Sequence, residues 1–540
     1  MLAFSRMNGR RNHTAASTQV LYVLMLMLAS AFTAGEVRGA GLSEQEARGK
    51  AIYMDGESAS GREITAYVGQ ASVSVPASAI PCATCHGPDG LGRPEAGVTP
   101  TNILWSRLTK PYGLVSATGH RRSGPYDEFS LGRSIVAGMD PDGNPLDRSM
   151  PRYRMEEEDL DDLVAYMKRL ESDLDPGLYD DKIVVGTVIP RDGPMGEAGQ
   201  AVTGVLSAYF ADLNARGGIY NRKLELVAAR AGAPAEALER ARDLLSSGQV
   251  FALVAAITAG VDEPFAALAE EQATPLIAPI TQATPADTGL RRHTFYIYAG
   301  SELQARALVE FAISRLPEPS IEGAVLHPAS EQGQALAGAM TRQATDRGWG
   351  GLRAVAYPAG DMDPGALARE LKASGVQALF FVGSGPEFAL LTGAAERLDW
   401  SPLLFALGHQ AGREATAAPA RFAGRLFVAY PTSPSDQGAE GRREFGEFHQ
   451  RHGLPRGHLS TQIAAYASAK LLIEGLRQAG RALSREKLVQ ALEGLHRYAT
   501  GLTPPLTYGA NRHVGAGGAH VVAVNPDKGS FAAASTWVQP

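Results

Sequence analysis

Two cysteines occur in this 540-residue chain, and both lie in Cys82-Ala83-Thr84-Cys85-His86. The C-x-x-C-H spacing suits covalent haem. The two thiols can add across the vinyl groups, and the adjoining imidazole then sits under the iron as proximal ligand. A structural zinc site needs four Cys or His ligands at suitable spacing, and no further cysteine exists to help supply them. A thioredoxin-like pair belongs at a helix start after a strand. Here the flanks are Pro76-Ala77-Ser78-Ala79-Ile80-Pro81 and Gly87-Pro88-Asp89-Gly90. A plain disulfide would close a tight loop and leave His86 unexplained. The expected cofactor is therefore one covalently bound haem c, and the expected chemistry is one-electron transfer.

An iron held this way usually takes a second axial ligand, and a thioether sulfur raises its potential. Four methionines follow the motif within residues 87–173. Met139 and Met150 lie in loop-like sequence, Gly138-Met139-Asp140-Pro141 and Ser149-Met150-Pro151-Arg152-Tyr153. Met155 stands where a helix begins. Met167 shares an apolar stripe with Leu160, Leu163, Val164 and Leu170, which makes it a core residue. Two helices must frame the site. Ser43-Glu44-Gln45-Glu46 predicts a capped start for the first. The acidic run Glu156-Glu157-Glu158-Asp159 suits the first turn of the second, where the helix dipole favours negative charge.

Residues 43–173 resemble the class I cytochrome c family. The resemblance rests on Gly49-Lys50-Ala51-Ile52-Tyr53, then the haem motif, then Met150-Pro151-Arg152-Tyr153, then Asp159, Leu160, Leu163, Tyr166 and Leu170, in that order. It implies a small all-α domain. It also implies that Met150 is the distal iron ligand, with Met139 second in line.

The first 40 residues read as an export signal. Arg6, Arg10 and Arg11 give a basic start, residues 20–34 are almost wholly apolar, and small residues follow. The apolar run falls short of the roughly 20 residues that span a bilayer, so cleavage and a soluble periplasmic product are expected. The formal net charge of −6 argues against nucleic acid as a partner. Hydrophobic content of 44% and charged content of 20% are ordinary for globular domains.

Residues 174–181 look like a linker, and beyond them the pattern changes. Short apolar runs at 182–188, 224–227, 250–257, 275–280, 324–327, 354–357, 378–382 and 403–407 predict buried strands, most of them separated by helical periodicity. Such alternation predicts doubly wound parallel sheets with helices on both faces. Residues 182–540 resemble the type I periplasmic binding proteins, specifically the branched-chain amino-acid binding family. The matching residues are 183–190, Gly193-Pro194, Gly199-Gln200, Leu213-Asn214-Ala215-Arg216-Gly217-Gly218-Ile219, Tyr466-Ala467 and Thr500-Gly501-Leu502-Thr503-Pro504-Pro505.

That resemblance implies two α/β lobes closing on a small ligand. It places ligand contacts in loops after strands: Thr258 and Ala259, Thr281 and Gln282, Tyr298 and Ser301, and Glu387 as the acidic group. Ala259 stands near where the family has Ser, and Gln332 where Tyr before Gly is common. The expected ligand class therefore extends from amino acids to other small polar or aromatic compounds. The implied partners are a periplasmic redox protein or dehydrogenase, or the permease of an ABC importer. No G-x-S-x-G, H-E-x-x-H or phosphate-loop pattern occurs, so an electron carrier with a binding module is expected rather than an enzyme.

Overall fold

A computed structural model describes residues 42–69, 71–92, 98–115, 122–281, 284, 291–316 and 321–540. The expected export segment, residues 1–40, and Gln282 lie outside the described residues. Backbone contacts divide the chain into two compact units, with the boundary between Asp173 and Leu174.

In the first unit the helix Glu44–Asp55 opens on a capping box. Ser43 Oγ accepts from the Glu46 N–H, and Glu46 answers the Ser43 N–H at 2.7 Å. The helix ends at Gly56, whose φ of 70° an L side chain would resist. It packs against the helix Glu157–Arg169. Gly49 lets the two backbones meet, since a Cβ there would stand 1.9 Å from the Asp162 carbonyl oxygen. Arg48 on Asp162 at 2.6 Å and Lys50 on Asp173 at 2.7 Å tie the same crossing. Ile52, Tyr53, Leu163, Tyr166, Met167 and Leu170 fill the core beneath it. Met167 is 4% exposed, so it serves packing, as its stripe predicts.

The unit is helical but not all-α. Strands Val73–Pro76, Thr65–Val68 and Arg152–Arg154 form an antiparallel sheet, with Ala66 opposite both Val75 and Tyr153. Ala66 and Tyr153 are buried while their neighbours stay partly exposed, so this ribbon is a half-buried cover for the helical core. Three- and four-residue strands carry too little periodicity to stand out in the sequence.

The second unit holds two sheets. One runs in the order Val514–Ala516, Thr294–Tyr298, Leu276–Ile277, Ala252–Val254, Lys182–Pro190 and Lys223–Ala231, all parallel. The other runs Leu352–Tyr357, Gly323–Pro328, Ala378–Phe381, Leu403–Leu407, Leu426–Tyr430, His520–Asn525 and Ser530–Ala533, with the last two antiparallel. Helices pack on the sheets through separate apolar cores. The central strands are buried on both faces, which is why they read as unbroken apolar runs. The chain passes between the two sheets three times: after Tyr298, after Tyr430 and after Ala516.

Residues 174–181 are packed rather than loose. Leu178 is buried in the second unit's core, and Gly177 lies against the backbone of Val250 and Phe251. The Asp175 carboxylate accepts from the Arg485 N–H at 2.5 Å. The polar Pro-Gly composition that suggests a linker instead makes a fixed turn into the first strand.

Candidate functional site

Cys82–His86 forms one short helix, with Pro81 before it and Gly87 at its end. Positions three apart share a helix face, so this winding sets the two thiols side by side and brings the imidazole next to them. Two buried tyrosines clamp the backbone around it. Tyr153 Oη donates to the Ile80 carbonyl at 2.7 Å, ahead of the motif, and Tyr53 Oη donates to the Gly87 carbonyl at 2.7 Å, behind it. Tyr53 leans in turn on Tyr166, with ring centroids 5.6 Å apart. Both helices of the crossing therefore brace the motif.

His86 Nδ1 lies 2.9 Å from the Thr101 carbonyl. A carbonyl can only accept, so Nδ1 carries the proton and the Nε2 lone pair is left for a metal. Burial holds His86 below the usual imidazole range, against the opposing pull of the Thr101 bond, so the ring is neutral, the form a metal requires. Burial, with Cys85 adding to it, pushes the Cys82 thiol up to about 12. Burial first, and the nearby Cys82 and Cys85 second, push the Tyr153 phenol up as well. Tyr153 shares the core against which Cys82 packs. Two thiols one helical turn apart and one imidazole with a fixed tautomer are the donor set a covalent haem needs, so the residues fit that group.

The candidate sulfur ligands share a single loop, residues 138–151. Met139 pairs with Pro145 in an isolated bridge, and the Met150 N–H closes a turn onto the Asp147 carbonyl at 3.2 Å. Both are half-buried. Met155 packs on the edge of the core. Asp140, fully buried, accepts from the N–H groups of Asp142 and Asn144, and Arg133 Nη2 reaches the Asp140 and Pro141 carbonyls at 2.5 and 3.0 Å. Sequence reasoning missed this scaffolding, and also Thr101, Tyr53 and Tyr153 as braces.

In the second unit the expected ligand residues do gather at the C-terminal ends of parallel strands, where open α/β sheets hold their ligands. Thr258 is 2% exposed, and its hydroxyl donates to Asp262 at 2.7 Å. The Gly260 N–H bonds the other oxygen of that carboxylate at 3.2 Å, and Ala259 between them is exposed. Thr281 follows the next strand and is half-buried. Tyr298 ends the strand beside it. Burial pushes its phenol up, partly offset by a hydrogen bond with Thr432. Ser301 opens the helix Ser301–Arg315, and its hydroxyl lies 3.3 Å from His409 Nε2. His409 follows the second sheet's strand Leu403–Leu407, and the helix Ser301–Arg315 packs on that same sheet, so this contact lies within the second lobe. Burial holds His409 below the usual imidazole range.

Glu387 has local work. Its carboxylate accepts from the Ser384 N–H at 2.8 Å and the Ser384 hydroxyl at 2.7 Å, completing the cap of the helix Gly385–Arg397. It also bonds the Tyr357 hydroxyl, whose pKa is raised by burial first and by Glu387 second. Sequence reasoning did not pick out His409 or Thr432. The signal for His409 was its place just past a buried apolar strand.

The profile of the periplasmic binding protein family matches residues 182–530. The chain belongs to that family. Residues 77–171 match the cytochrome c family, which makes the first unit a cytochrome c domain and implies a covalently bound haem c. The leucine-, isoleucine-, valine-, threonine- and alanine-binding protein of Pseudomonas aeruginosa is 23% identical over 313 residues, 58% of this chain and 82% of that relative. The Leu/Ile/Val-binding protein homolog 3 of Brucella melitensis is 27% identical over 216 residues, 39% of this chain, and the match spans only 56% of that relative's length. A putative branched-chain amino acid ABC transporter structure from Rhodospirillum rubrum superposes with a TM-score of 0.53 at 16% identity, covering 65% of this chain and 99% of its own. A fatty acid ABC transporter substrate-binding protein from Thermomonospora curvata gives 0.50 at 16% identity, covering 68% and 95%. At such identities the structures establish the fold. No helix among the described residues is long and apolar enough to cross a membrane.

Proposed function

We propose that this is an exported monohaem cytochrome whose electron transfer is coupled to capture of a small molecule by the binding domain. Cys82 and Cys85 would hold the haem through thioether bonds, and His86 Nε2 and the Met150 sulfur, ahead of Met139, would bind its iron. The bound haem would supply one-electron chemistry, while the chain's own residues fix the imidazole tautomer and brace the attachment helix. The carrying observation is one chain in which a tyrosine-clamped C-x-x-C-H helix precedes a whole two-lobed binding fold. Export fits both parts. The redox partner in this reading is a periplasmic dehydrogenase or another periplasmic electron carrier. Two axial protein ligands leave the iron no open position, so the role is carrier and binder rather than enzyme.

The ligand is a small amino acid or a compound of similar size, a class supported by the amino acids for which the relatives are named. Thr258, Thr281 and Tyr298 from the first lobe and Ser301 and His409 from the second are the groups proposed to face it. The test is a potentiometric titration of the holo-protein with and without leucine, isoleucine, valine, threonine or alanine. Linkage makes coupling reciprocal. A tenfold difference in affinity between the two redox states appears as a shift of about 59 mV. A ligand that binds and leaves the potential unmoved contradicts the coupling. It favours the second reading, a receptor delivering solute to an ABC importer with the haem as an accessory, which the transporter relatives support.

A further inference from the structure

We propose that Arg152 is the positioning residue that keeps Met150 on the iron, by pinning the backbone of the loop that carries it. This rests on the reading of Met150 as the distal ligand. Residues 138–151 contain no helix or strand, so nothing periodic holds the sulfur in place. The near half is anchored by Asp140 and Arg133. In the far half, the Asp147 carboxylate makes a local turn by accepting from the Ser149 N–H at 2.8 Å, and Arg152 makes the longer ties. Its Nη2 donates to the Leu146 carbonyl at 2.9 Å and to the Asp147 carbonyl at 3.3 Å, and its Nη1 donates to the carbonyl of Met150 itself. The same side chain crosses the start of the loop, for a Cβ on Gly138 would stand 1.6 Å from Arg152 Nε. One guanidinium thus joins both ends of the methionine loop.

Arg152 is itself firmly held. It opens the strand Arg152–Arg154, opposite Tyr67, and its neighbour Tyr153 is bonded to the Ile80 carbonyl, two residues before Cys82. A continuous track runs from the attachment helix through Ile80, Tyr153 and Arg152 to Met150. Several carbonyls at fixed angles demand a planar fork with separated donors, which Arg has and Lys lacks. A thioether is a neutral, weak ligand, so its hold on ferric iron depends on how often the loop presents it. An added ligand can enter only in the fraction of molecules where the sulfur is off, and its apparent affinity scales with that fraction.

The experiment is an imidazole titration of the ferric holo-protein, followed by loss of the long-wavelength sulfur-to-iron absorption band. Arg152→Gln and Arg152→Lys are compared with the unaltered chain. With haem content and far-UV dichroism unchanged, Arg152→Gln is expected to bind imidazole about tenfold more tightly, and Arg152→Lys to fall between. A change of less than about twofold in both variants overturns the tether. If Arg152→Gln fails to mature, Gly138→Ala displaces the intact arginine and carries the same expectation. Met150→Leu separates the two claims. If the band survives in Met150→Leu, the ligand assignment is wrong. If it vanishes there while the arginine variants titrate like the unaltered chain, the assignment stands and the tether is wrong.

Discussion

The cytochrome unit and the binding unit build their sites in opposite ways. The first writes its chemistry into five consecutive residues and then spends distant side chains on holding them. Tyr53, Tyr153 and Thr101 all act on that short helix through single hydrogen bonds. The second has no such stretch. Its candidate groups come from the ends of separate strands in two sheets, with Tyr298 ending a strand of one and His409 following a strand of the other. A covalent cofactor needs a local recognition sequence, whereas a ligand held without bonds needs a topology. The contrast also shows in what supports each part. A small domain buries little surface and leans on specific braces, while the two lobes rest on large apolar cores.

Four changes test that contrast, the largest effect first. Replacing Cys82 and Cys85 together by Ala should abolish covalent haem and remove the first unit's thermal transition. The binding unit's transition should persist, and its loss in the same scan would break the separation. Gly49→Val forces a side chain into the Asp162 backbone. Overpacking of this kind should cost the cytochrome unit about 3 kcal/mol, read as an early loss of the haem-region dichroism while the second transition stays put. Tyr53→Phe removes one buried hydrogen bond to Gly87. It should cost about 1 kcal/mol, again in the first transition alone.

The smallest effect lies in the binding unit and depends on pH. His520 Nε2 sits 2.7 Å from Asp436, joining two of the three crossings between lobes. Burial alone would lower its pKa, but the Asp436 hydrogen bond and charge outweigh that, and the folded value is raised. The stabilising charge is therefore fully present below the unfolded imidazole value, near pH 6.5, and is lost as pH rises through the folded value. The second unit's melting temperature should fall as pH rises above about 6.5 in the unaltered chain. Asp436→Asn should flatten that slope without touching the first transition. An unchanged slope would assign the pH dependence elsewhere.

The legibility of the sequence follows the same division. Cys82, Cys85 and His86 are readable because their chemistry demands fixed spacing, and the buried parallel strands because burial on both faces leaves continuous apolar runs. Met167 is readable as core from its helical stripe. The antiparallel ribbon at 65–76 and 152–154 is not, because strands this short leave no period. Glu387 illustrates a different limit. A carboxylate three residues after Ser384 can serve a ligand or a helix cap, and the sequence is the same in both cases; the geometry shows the cap. The turn at 174–181 has a linker's composition, yet Leu178 and Asp175 fix it to partners hundreds of residues away, or near Phe251. Arg152 looks like a solvated loop residue until its carbonyl partners are seen.

The central claim is that this periplasmic binding protein carries one covalent haem on Cys82 and Cys85. Mass spectrometry of the proteolysed holo-chain, after alkylation of free thiols, tests it directly. The account predicts a single haem-bearing peptide spanning Cys82 to His86, with neither cysteine alkylated. Two alkylated cysteines and no haem-bearing peptide, in protein matured with the cytochrome c assembly machinery, would contradict it.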